Sequence, residues 1–340
     1  MRILITRTDR IGDVILSLPV IENLRRVWPQ SFLAMVVRPY TAPLLKNNPF
    51  LDEIIVYDKY GQQRGVGASL RFALFLRRRR FDIALILHPT NRMHLITFIA
   101  GIRKRVGWRK KLGFLLTHSL PHTKQEGAKH ERDYNLELLR LAGIEPQKVL
   151  PRLYPDREAE EWIEDFWQRH ALGGKTVIAL GIGASCPSKI WPTDYFAELA
   201  KLLRERYKAE IAVVASEAEK HLRDEFAENY KYEFLDLTGK LDLIRIVSLF
   251  RKINLFIGND SGLTHICAAV DTAVISIFGR GQPGLSPRRW RPLGRKSMFI
   301  HKNAGCKICL AHNCQRGFLC LRMIKPEEVA LLAAKLLREN

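Results

Sequence analysis

Residues 255–269 read LFIGNDSGLTHICAA, an apolar strand that runs through an Asp-Ser-Gly turn directly into a helix of small residues. Such a junction places free N–H groups and the positive end of a helix beyond the end of the strand. It therefore predicts an anion site suited to a diphosphate. An Asp or Ser N-cap beside a packed histidine is the alternative. The residues expected at this site are Asp260, Ser261, Gly262, Leu263, Thr264 and His265.

The same succession of short β-rich runs and longer helical patterns extends along the chain. In the first half the candidate strands are 2–7, 32–38, 53–58, 82–88 and 105–108, with helices such as 14–27, 68–79 and 133–142. In the second half the strands are 176–183, 210–216, 233–237, 255–260 and 273–278, with helices at 194–206, 218–230, 242–250, 262–270 and 326–338. Strands that are apolar on both faces and joined by helices indicate parallel sheets covered on both sides. The predicted fold class is α/β, with two Rossmann-like, doubly wound domains facing a central cleft.

A linker composition separates the two halves. The helix that ends near Ala142 is followed by Gly143, Pro146, Pro151 and Pro155. The predicted organisation is one domain over 1–150, a second over 151–325 and a C-terminal helix over 326–340.

Positive charge is concentrated in the first half. The chain has 340 residues, with 55 Lys and Arg against 35 Asp and Glu, a formal net charge of +20. Residues 1–150 hold 26 basic and 12 acidic residues, and basic runs lie at 77–80 and 103–111. An anionic partner of this half is one interpretation, and a solvated basic face is the other.

Composition also excludes several classes of protein. A hydrophobic content of 47% argues against a disordered basic tail protein. The sequence has no run of about 18 apolar residues, the length a membrane-spanning helix needs. Arg7, Asp9, Arg10 and Asp13 interrupt the apolar core that a signal peptide requires. We therefore expect a cytoplasmic protein.

Two further strand-to-helix junctions carry polar residues. Residues 5–19 read ITRTDRIGDVILSLP, in which Gly12 allows a tight turn and Asp13 stands where a helix begins. On spacing alone Asp13 is expected to be an N-cap, although a carboxylate there could also act as a general base. Residues 181–192 read GIGASCPSKIWP, in which Lys189 can offer a positive charge to a phosphate.

Four cysteines lie close together in the sequence near the C-terminus, beside His301 and His312. A cytoplasmic chain keeps thiols reduced, so metal binding has to be weighed, but the spacing is tighter than in a usual zinc ribbon. We expect no metal site and keep a metal there as the lesser alternative; disulfides become credible in a hyperthermophile. The four residues are Cys306, Cys309, Cys314 and Cys320.

Four features occur together along the chain. They are the Gly-Asp pair within 5–19, the Gly-Asn-Asp-Ser-Gly-x-x-His loop over 258–265, a strand ending in Phe278-Gly279, and the cysteine-rich stretch before a Pro-Glu-Glu-Val helix. In combination they resemble the ADP-heptose:lipopolysaccharide heptosyltransferases of glycosyltransferase family 9, which have the GT-B fold. The resemblance implies an inverting, metal-independent transfer of heptose from ADP-heptose to the inner core of a lipid A-linked oligosaccharide, with no cofactor required.

The resemblance also implies roles for particular residues. Asp13 matches the general base, Lys189 the lysine near the donor diphosphate, and Glu219 an acidic residue that binds the ribose hydroxyls, while 260–265 is the loop that grips donor phosphate and sugar. One departure is Gly281, where the family usually has Thr or Ser. The candidates for binding the acceptor are Arg10, His88 and Arg92.

The expected acceptor is a phosphorylated glycolipid, so the resemblance implies a peripheral enzyme on the cytoplasmic face of the inner membrane. The arginine run 77–80 would then face the anionic lipid surface, and no nucleic acid would be bound. Two alternatives stay open at this point. The high positive charge suits a nucleic-acid-binding protein, and a nucleotide-sugar epimerase would share the two-domain architecture.

Overall fold

The structure is a computed structural model that describes residues 1–309 and 313–338. The chain divides into two compact units, Met1–Tyr154 and Pro155–Asn340. Among the described residues, no helix combines the length and the apolar character needed to cross a membrane.

The first unit is built on a six-stranded parallel sheet with the strand order β3-β2-β1-β4-β5-β6. Its elements are β1 Arg2–Thr6, α1 Ile11–Ile15, α2 Leu18–Val27, β2 Phe32–Val37, β3 Glu53–Val56, α3 Val66–Arg78, β4 Ile83–Ile86, α4 Asn91–Ile99, β5 Lys104–Arg109, β6 His118–Pro121 and α5 Glu131–Ala142. Short 3₁₀ helices lie at Pro39–Leu45, Gly113–Leu115 and Lys124–Glu126.

Helices cover both faces of this sheet. Leu4 pairs in register with Ala34 and Ala84, and these side chains pack in one core with residues of α3 and α4. The alternate strand residues Ile3 and Ile5 are equally buried, as expected when the opposite face is covered too. α2 packs against α5.

The second unit repeats this plan, with the strand order β12-β11-β10-β7-β8-β9, again parallel throughout. Its elements are α6 Arg157–Arg169, β7 Val177–Gly181, α7 Thr193–Tyr207, β8 Glu210–Val214, α8 Lys220–Asn229, β9 Leu235–Asp236, α9 Leu243–Lys252, β10 Leu255–Asn259, α10 Gly262–Ala269, β11 Ala273–Phe278, α11 Pro287–Trp290, β12 Ser297–His301, α12 Leu319–Arg322 and α13 Pro326–Arg338. Its 3₁₀ helices lie at Pro187–Lys189, Glu217–Glu219 and Pro283–Leu285.

The predicted α/β class with two doubly wound parallel sheets is confirmed. The sequence prediction missed the edge strands β6 and β12, because each mixes polar and apolar residues and lacks the continuous apolar pattern of a central strand. It also missed α6. The expected helix 14–27 is wrong as a single helix, since α1 ends at Ile15 and α2 begins at Leu18 with Pro19 in its first turn. Residues 339–340 of the predicted C-terminal helix, and His312, lie outside the described residues.

Candidate active site

Asp13 lies in α1, the first helix after the carboxyl end of β1. The N-cap position of α1 is Arg10, and no side-chain hydrogen bond caps the helix. The expectation that Asp13 caps the helix is therefore wrong. Its Oδ1 accepts a hydrogen bond from Nη2 of Arg7 instead. The carboxylate is thus held at the edge of the first sheet where the parallel strands end, which is where ligands bind in sheets of this type.

The Arg7 guanidinium holds three carboxylates together. Its side chain is only 3% exposed. Nε donates to Oδ1 of Asp9 at 2.8 Å, and Nη1 donates to Oε1 of Glu131 at 3.0 Å. We call Arg7, Asp9, Asp13 and Glu131 the carboxylate cluster. Since an unpaired buried charge costs several kcal/mol, these contacts fix the guanidinium in place and, through it, the carboxylate of Asp13.

A second buried cation, Lys124, contacts the carboxylate cluster through Glu131. Nζ of Lys124 donates to Oε1 of Glu131 at 2.6 Å and to Oδ1 of Asn135 at 3.0 Å. Nδ2 of Asn135 donates to the backbone oxygen of Leu16 and to Oγ of Ser17, both at 3.2 Å. The start of α5 is thereby tied to the segment that joins α1 to α2, so that the position of Asp13 depends on residues more than a hundred positions away.

Sequence reasoning missed the supporting residues Arg7, Lys124, Glu131 and Asn135. Their separation along the chain hides the network. One signal was present, because Glu131 and Asn135 stand one turn apart among the buried residues of α5, whose other buried members are mainly apolar. A polar pair on the buried side of a helix predicts a buried polar contact.

The surroundings of Asp13 make it a proton acceptor at neutral pH. Burial, together with the charge of Asp9, raises the pKa of Asp13 to about 6, and the attraction of Arg7 opposes that rise. A carboxylate with this pKa is mostly ionised at pH 7, yet it holds a proton much better than an ordinary aspartate does. That balance is what a general base requires.

The three candidates for acceptor binding follow strands of the first sheet. Arg10 is exposed and precedes α1. Nδ1 of His88, just after β4, lies 3.6 Å from Oδ2 of Asp9, and Nη1 of Arg92 donates to the backbone oxygen of Lys59 at 3.3 Å. Burial, aided by the charge of Arg7, lowers the pKa of His88 to about 4, so its imidazole is neutral at pH 7. His88 therefore lies beside the carboxylate cluster, whereas Arg10 is the N-cap of α1 and Arg92 lies in the first turn of α4, each after a strand of the same sheet.

In the second unit, Asn259 at the end of β10 joins two of the junctions singled out in the sequence. Its Oδ1 accepts from the backbone N–H of Trp191 at 2.9 Å, and Nδ2 donates to the backbone oxygens of Ile182 at 2.9 Å and Gly183 at 3.3 Å. Asn259 is fully buried. The loop that follows β7 is therefore fixed against the start of the loop that follows β10.

These two loops bring Lys189 to Asp260. Nζ of Lys189 lies 2.6 Å from Oδ2 of Asp260 and 3.1 Å from its backbone oxygen. Two residues that the family resemblance assigned to the donor are thus in direct contact. The ammonium group lies at the carboxyl edge of the second sheet, where the helix α10 begins.

The first turn of α10 has no side-chain cap. Ser261 occupies the N-cap position without a capping hydrogen bond, and Oγ1 of Thr264 donates to the backbone oxygen of Ser261 at 2.8 Å. Ser261 thus holds the N-cap position that the alternative assigned to it, but the side-chain hydrogen bond that this alternative requires is not formed. Gly262 and Leu263 open the helix, while Thr264 and His265 are buried. A helix start without a side-chain cap keeps backbone N–H groups and the positive helix end for an anion.

Glu219 lies beside the same loops. Its Oε2 accepts from the backbone N–H of Ser216 at 2.9 Å and from Oγ of Ser216 at 2.6 Å, so it forms a capping box before α8. A Cβ added at Gly183 would lie 2.2 Å from the carboxyl carbon of Glu219. A side chain at position 183 would displace this carboxylate from its place against the loop that leads to Lys189.

Gly281, where the family usually has Thr or Ser, lies against the side chain of His301. A Cβ added at this position would lie 2.8 Å from Nε2 of His301. Nδ1 of His301 is held 3.1 Å from the backbone oxygen of Phe278, at the end of β11. The imidazole of His301 therefore occupies the space that a Thr or Ser side chain at position 281 would need.

The four clustered cysteines are free thiols. Burial raises the pKa of Cys320, and the nearby Cys309, Cys314 and Cys306 add to the rise. Among residues 1–309 and 313–338, no three His, Cys, Asp or Glu side chains are arranged to hold a metal ion. The lesser alternative of a metal at these cysteines stays a prediction.

Comparison with known proteins identifies the family. The model of glycosyltransferase family 9 (heptosyltransferase) matches residues 69–319. Lipopolysaccharide heptosyltransferase 2 of Escherichia coli K12 is 27% identical over 323 residues, which cover 90% of this chain and 89% of that protein.

Solved structures show the same fold. The family 9 glycosyltransferase of Veillonella parvula superimposes with a TM-score of 0.91 at 22% identity, covering 100% of this chain and 98% of that one. ADP-heptose lipopolysaccharide heptosyltransferase II of E. coli gives a TM-score of 0.81 at 23% identity, covering 100% and 99%. The tandem of doubly wound parallel sheets is thus that of the GT-B glycosyltransferases.

The chain belongs to glycosyltransferase family 9, the heptosyltransferase family. This membership does not favour the nucleic-acid-binding or epimerase alternatives.

Proposed function

We propose that this enzyme transfers heptose from ADP-L-glycero-β-D-manno-heptose to the inner core of lipopolysaccharide, with Kdo-lipid A or heptosyl-Kdo-lipid A as acceptor. Its family membership and the likeness to lipopolysaccharide heptosyltransferase 2 support the reaction class. The observation that carries the proposal is the carboxylate of Asp13, held by Arg7 at the end of β1 with a raised pKa.

Asp13 is the proposed general base. In a single displacement, an acceptor hydroxyl oxygen attacks the anomeric carbon of the heptose while the bond from that carbon to the ADP oxygen breaks. The hydroxyl proton passes to the carboxylate of Asp13, and ADP leaves with the bonding electron pair. Attack from the face opposite to the leaving group inverts the anomeric centre. A base whose pKa lies near neutrality is suited to take this proton.

The second unit supplies the groups proposed to stabilise the ADP leaving group. The ammonium of Lys189 and the uncapped start of α10 offer positive charge and N–H donors for the diphosphate. Asp260, Ser261, Gly262, Leu263, Thr264 and His265 would line the phosphate and sugar. Glu219 lies against the same loops, so we assign it to the ribose hydroxyls. These protein donors are proposed to perform the stabilisation without a metal ion or a cofactor.

Arg10, His88 and Arg92 are the proposed acceptor contacts. The two guanidinium groups suit the phosphates and carboxylates of an inner-core acceptor, because a guanidinium binds such anions in a bidentate manner. A neutral His88 can donate or accept a hydrogen bond with a sugar hydroxyl. Since the acceptor is lipid-linked, we place the enzyme at the cytoplasmic face of the inner membrane, in contact with its anionic surface, with no nucleic acid as partner.

The test of this proposal is transfer by the Asp13→Ala and Asp13→Asn variants from ADP-heptose to Kdo-lipid A. We expect kcat to fall by about two to four orders of magnitude, the usual contribution of a general base. Circular dichroism checks that the variants fold. Near-parental transfer by a folded variant contradicts the assignment of the base.

A thermal-shift screen tests the donor independently. ADP and ADP-heptose are expected to raise the melting temperature more than UDP-sugars and GDP-sugars do, because a ligand stabilises the state that binds it. Equal response to all nucleotides contradicts the proposed donor.

A further inference from the structure

The helix α3 is apolar on both of its sides. Phe72, Ala73 and Leu76 are buried against the sheet. On the opposite side, Val66, Leu70 and Leu74 recur every fourth residue and are 86%, 46% and 44% exposed. A surface helix of a water-soluble domain normally presents polar residues there, so this outer face needs a separate explanation.

The exposed apolar side chains continue onto the neighbouring segments. α4 packs against α3 in the same core and exposes Leu95 and Phe98 by 41% and 49%. The 3₁₀ helix Gly113–Leu115 packs against α4 and leaves Phe114 75% exposed. We name the whole set the outer face of the first unit; its members are Val66, Leu70, Leu74, Phe75, Leu95, Phe98 and Phe114.

Positive charge is concentrated in the segment that carries this outer face. Residues 66–116 contain twelve Lys and Arg and one acidic residue, Asp82. This segment therefore carries more than half of the net charge of +20. Asp82 is occupied, because its Oδ2 accepts the backbone N–H of Arg2 at 2.7 Å. Arg71, Arg77 and Arg78 of α3 are exposed beside the apolar residues. Apolar side chains bordered by arginines are the composition of a segment that lies in the interface of an anionic bilayer.

We propose that the outer face of the first unit is a membrane-docking surface, whose apolar side chains insert among the lipids while the arginines contact anionic headgroups. A single strand of nucleic acid fits less well, since Val66, Leu70 and Leu74 have no ring on which a base can stack. A second copy of the chain fits less well too, because two such strongly positive faces repel each other. The inference rests on the proposed function in that a lipid-linked acceptor requires the enzyme to reach a membrane.

Vesicle sedimentation tests the apolar part of the proposal. The parent protein is expected to bind phosphatidylcholine vesicles that contain phosphatidylglycerol, and the double variant Leu70→Glu/Leu74→Glu to bind them about tenfold more weakly or worse. The matched control is Leu331→Glu on α13, an apolar residue of the second unit that is 60% exposed. The control is expected to bind as the parent does.

The charged part is tested with Arg77→Gln/Arg78→Gln. Its binding to anionic vesicles is expected to fall about tenfold or more at low salt, since each basic residue near such lipids contributes on the order of a factor of five. Insertion is tested by adding a tryptophan at the surface. Leu74→Trp is expected to show extra fluorescence quenching by brominated lipids compared with the parent, and Leu331→Trp is expected to show none.

Several results overturn the proposal. They are parental vesicle binding by the Leu70→Glu/Leu74→Glu variant, equal loss in the Leu331→Glu control, or absence of extra quenching in Leu74→Trp. Loss of self-association in the double variant, measured by analytical ultracentrifugation without vesicles, assigns the face to a second copy instead. Transfer to a delipidated, water-soluble core acceptor separates this proposal from the proposed function. The surface variants should retain that transfer, whereas its absence in the parent rejects the function and leaves the vesicle result standing.

Discussion

Nζ of Lys124 lies 2.6 Å from Oε1 of Glu131, and both side chains are buried. The same carboxylate oxygen also accepts a hydrogen bond from Arg7. Two cations, Lys124 and Arg7, thus face three carboxylates, those of Asp9, Asp13 and Glu131. Among these five side chains one negative charge is in surplus, and this surplus adds to burial, which is the main cause of the raised pKa of Asp13.

This charge balance predicts the pH dependence of transfer. The base form of Asp13 exists above its pKa of about 6, so kcat/KM is expected to fall as the pH drops below about 6. This fall is the acid limb of the pH profile. Removing a positive charge with Lys124→Gln should raise the pKa of Asp13 and so move the acid limb to higher pH. Removing a negative charge with Asp9→Asn should move it to lower pH. The measurement is kcat/KM for ADP-heptose transfer across the pH range.

Opposite shifts separate this electrostatic role from a structural defect. A variant that is merely distorted lowers kcat/KM at every pH and leaves the limb where it is. The double variant Lys124→Gln/Glu131→Gln restores the balance of charge, and its limb is expected to return towards that of the parent. Limbs that coincide in all variants contradict the role assigned to these residues.

The same pKa makes a prediction about stability. Because the folded pKa of Asp13, about 6, exceeds the ordinary value of 3.8, the folded protein binds a proton that the unfolded chain releases. The contribution of this group to the free energy of unfolding is therefore present below pH 4 and is lost as the pH rises to about 6. Relative to the parent, Asp13→Asn is expected to gain up to about 3 kcal/mol of stability between pH 4 and pH 7.

Urea unfolding of both proteins across that range checks the prediction. The difference in the free energy of unfolding should grow with pH up to about 6 and then stay constant. A difference that shrinks with rising pH indicates that Arg7 depresses the pKa of Asp13 below its ordinary value.

Sequence patterns were sufficient to predict the two parallel sheets, since the central strands β1, β4, β7, β10 and β11 are continuous apolar runs followed by helical periodicity. The edge strands β6 and β12 mix polar and apolar residues, so periodicity missed them. For the site, the position of Asp13 after β1 was predictable, but its partner was not. Local spacing favoured a cap, whereas burial beside Arg7 and Glu131 made an ion-paired cluster the stable arrangement.

The donor-binding residues of the second unit also show how far sequence patterns can predict the site. Lys189 and Asp260 were each placed at strand ends from the sequence, because parallel strands end at a common edge. Their direct contact depends on Asn259. Both polar atoms of its side-chain amide form hydrogen bonds to the backbone of the other loop. A single buried amide leaves no periodic signal, and this contact could be found only in three dimensions.

Lys189 is predicted to matter more for the transition state than for binding of the donor. In the structure its ammonium is paired with Asp260, which weakens its attraction for a bound diphosphate, but that attraction grows in the transition state as the leaving ADP gains negative charge. Lys189→Met is expected to lower kcat by about two to three orders of magnitude and to change KM for ADP-heptose less. Steady-state kinetics with Lys175→Met, an exposed lysine of the same unit, as control checks this. A loss confined to KM contradicts it.

Gly281 and His301 are predicted to be coupled. A side chain at position 281 would meet Nε2 of His301 at 2.8 Å from its Cβ, so Gly281→Thr must displace the imidazole or distort the loop after β11. We expect this variant to lower the free energy of unfolding by about 1–3 kcal/mol. The double variant Gly281→Thr/His301→Ala removes the obstacle and should recover most of that loss beyond the effect of His301→Ala alone. A double-mutant cycle, read by urea unfolding and by the thermal shift with ADP, measures the coupling; strictly additive effects show that the two side chains do not compete for this space.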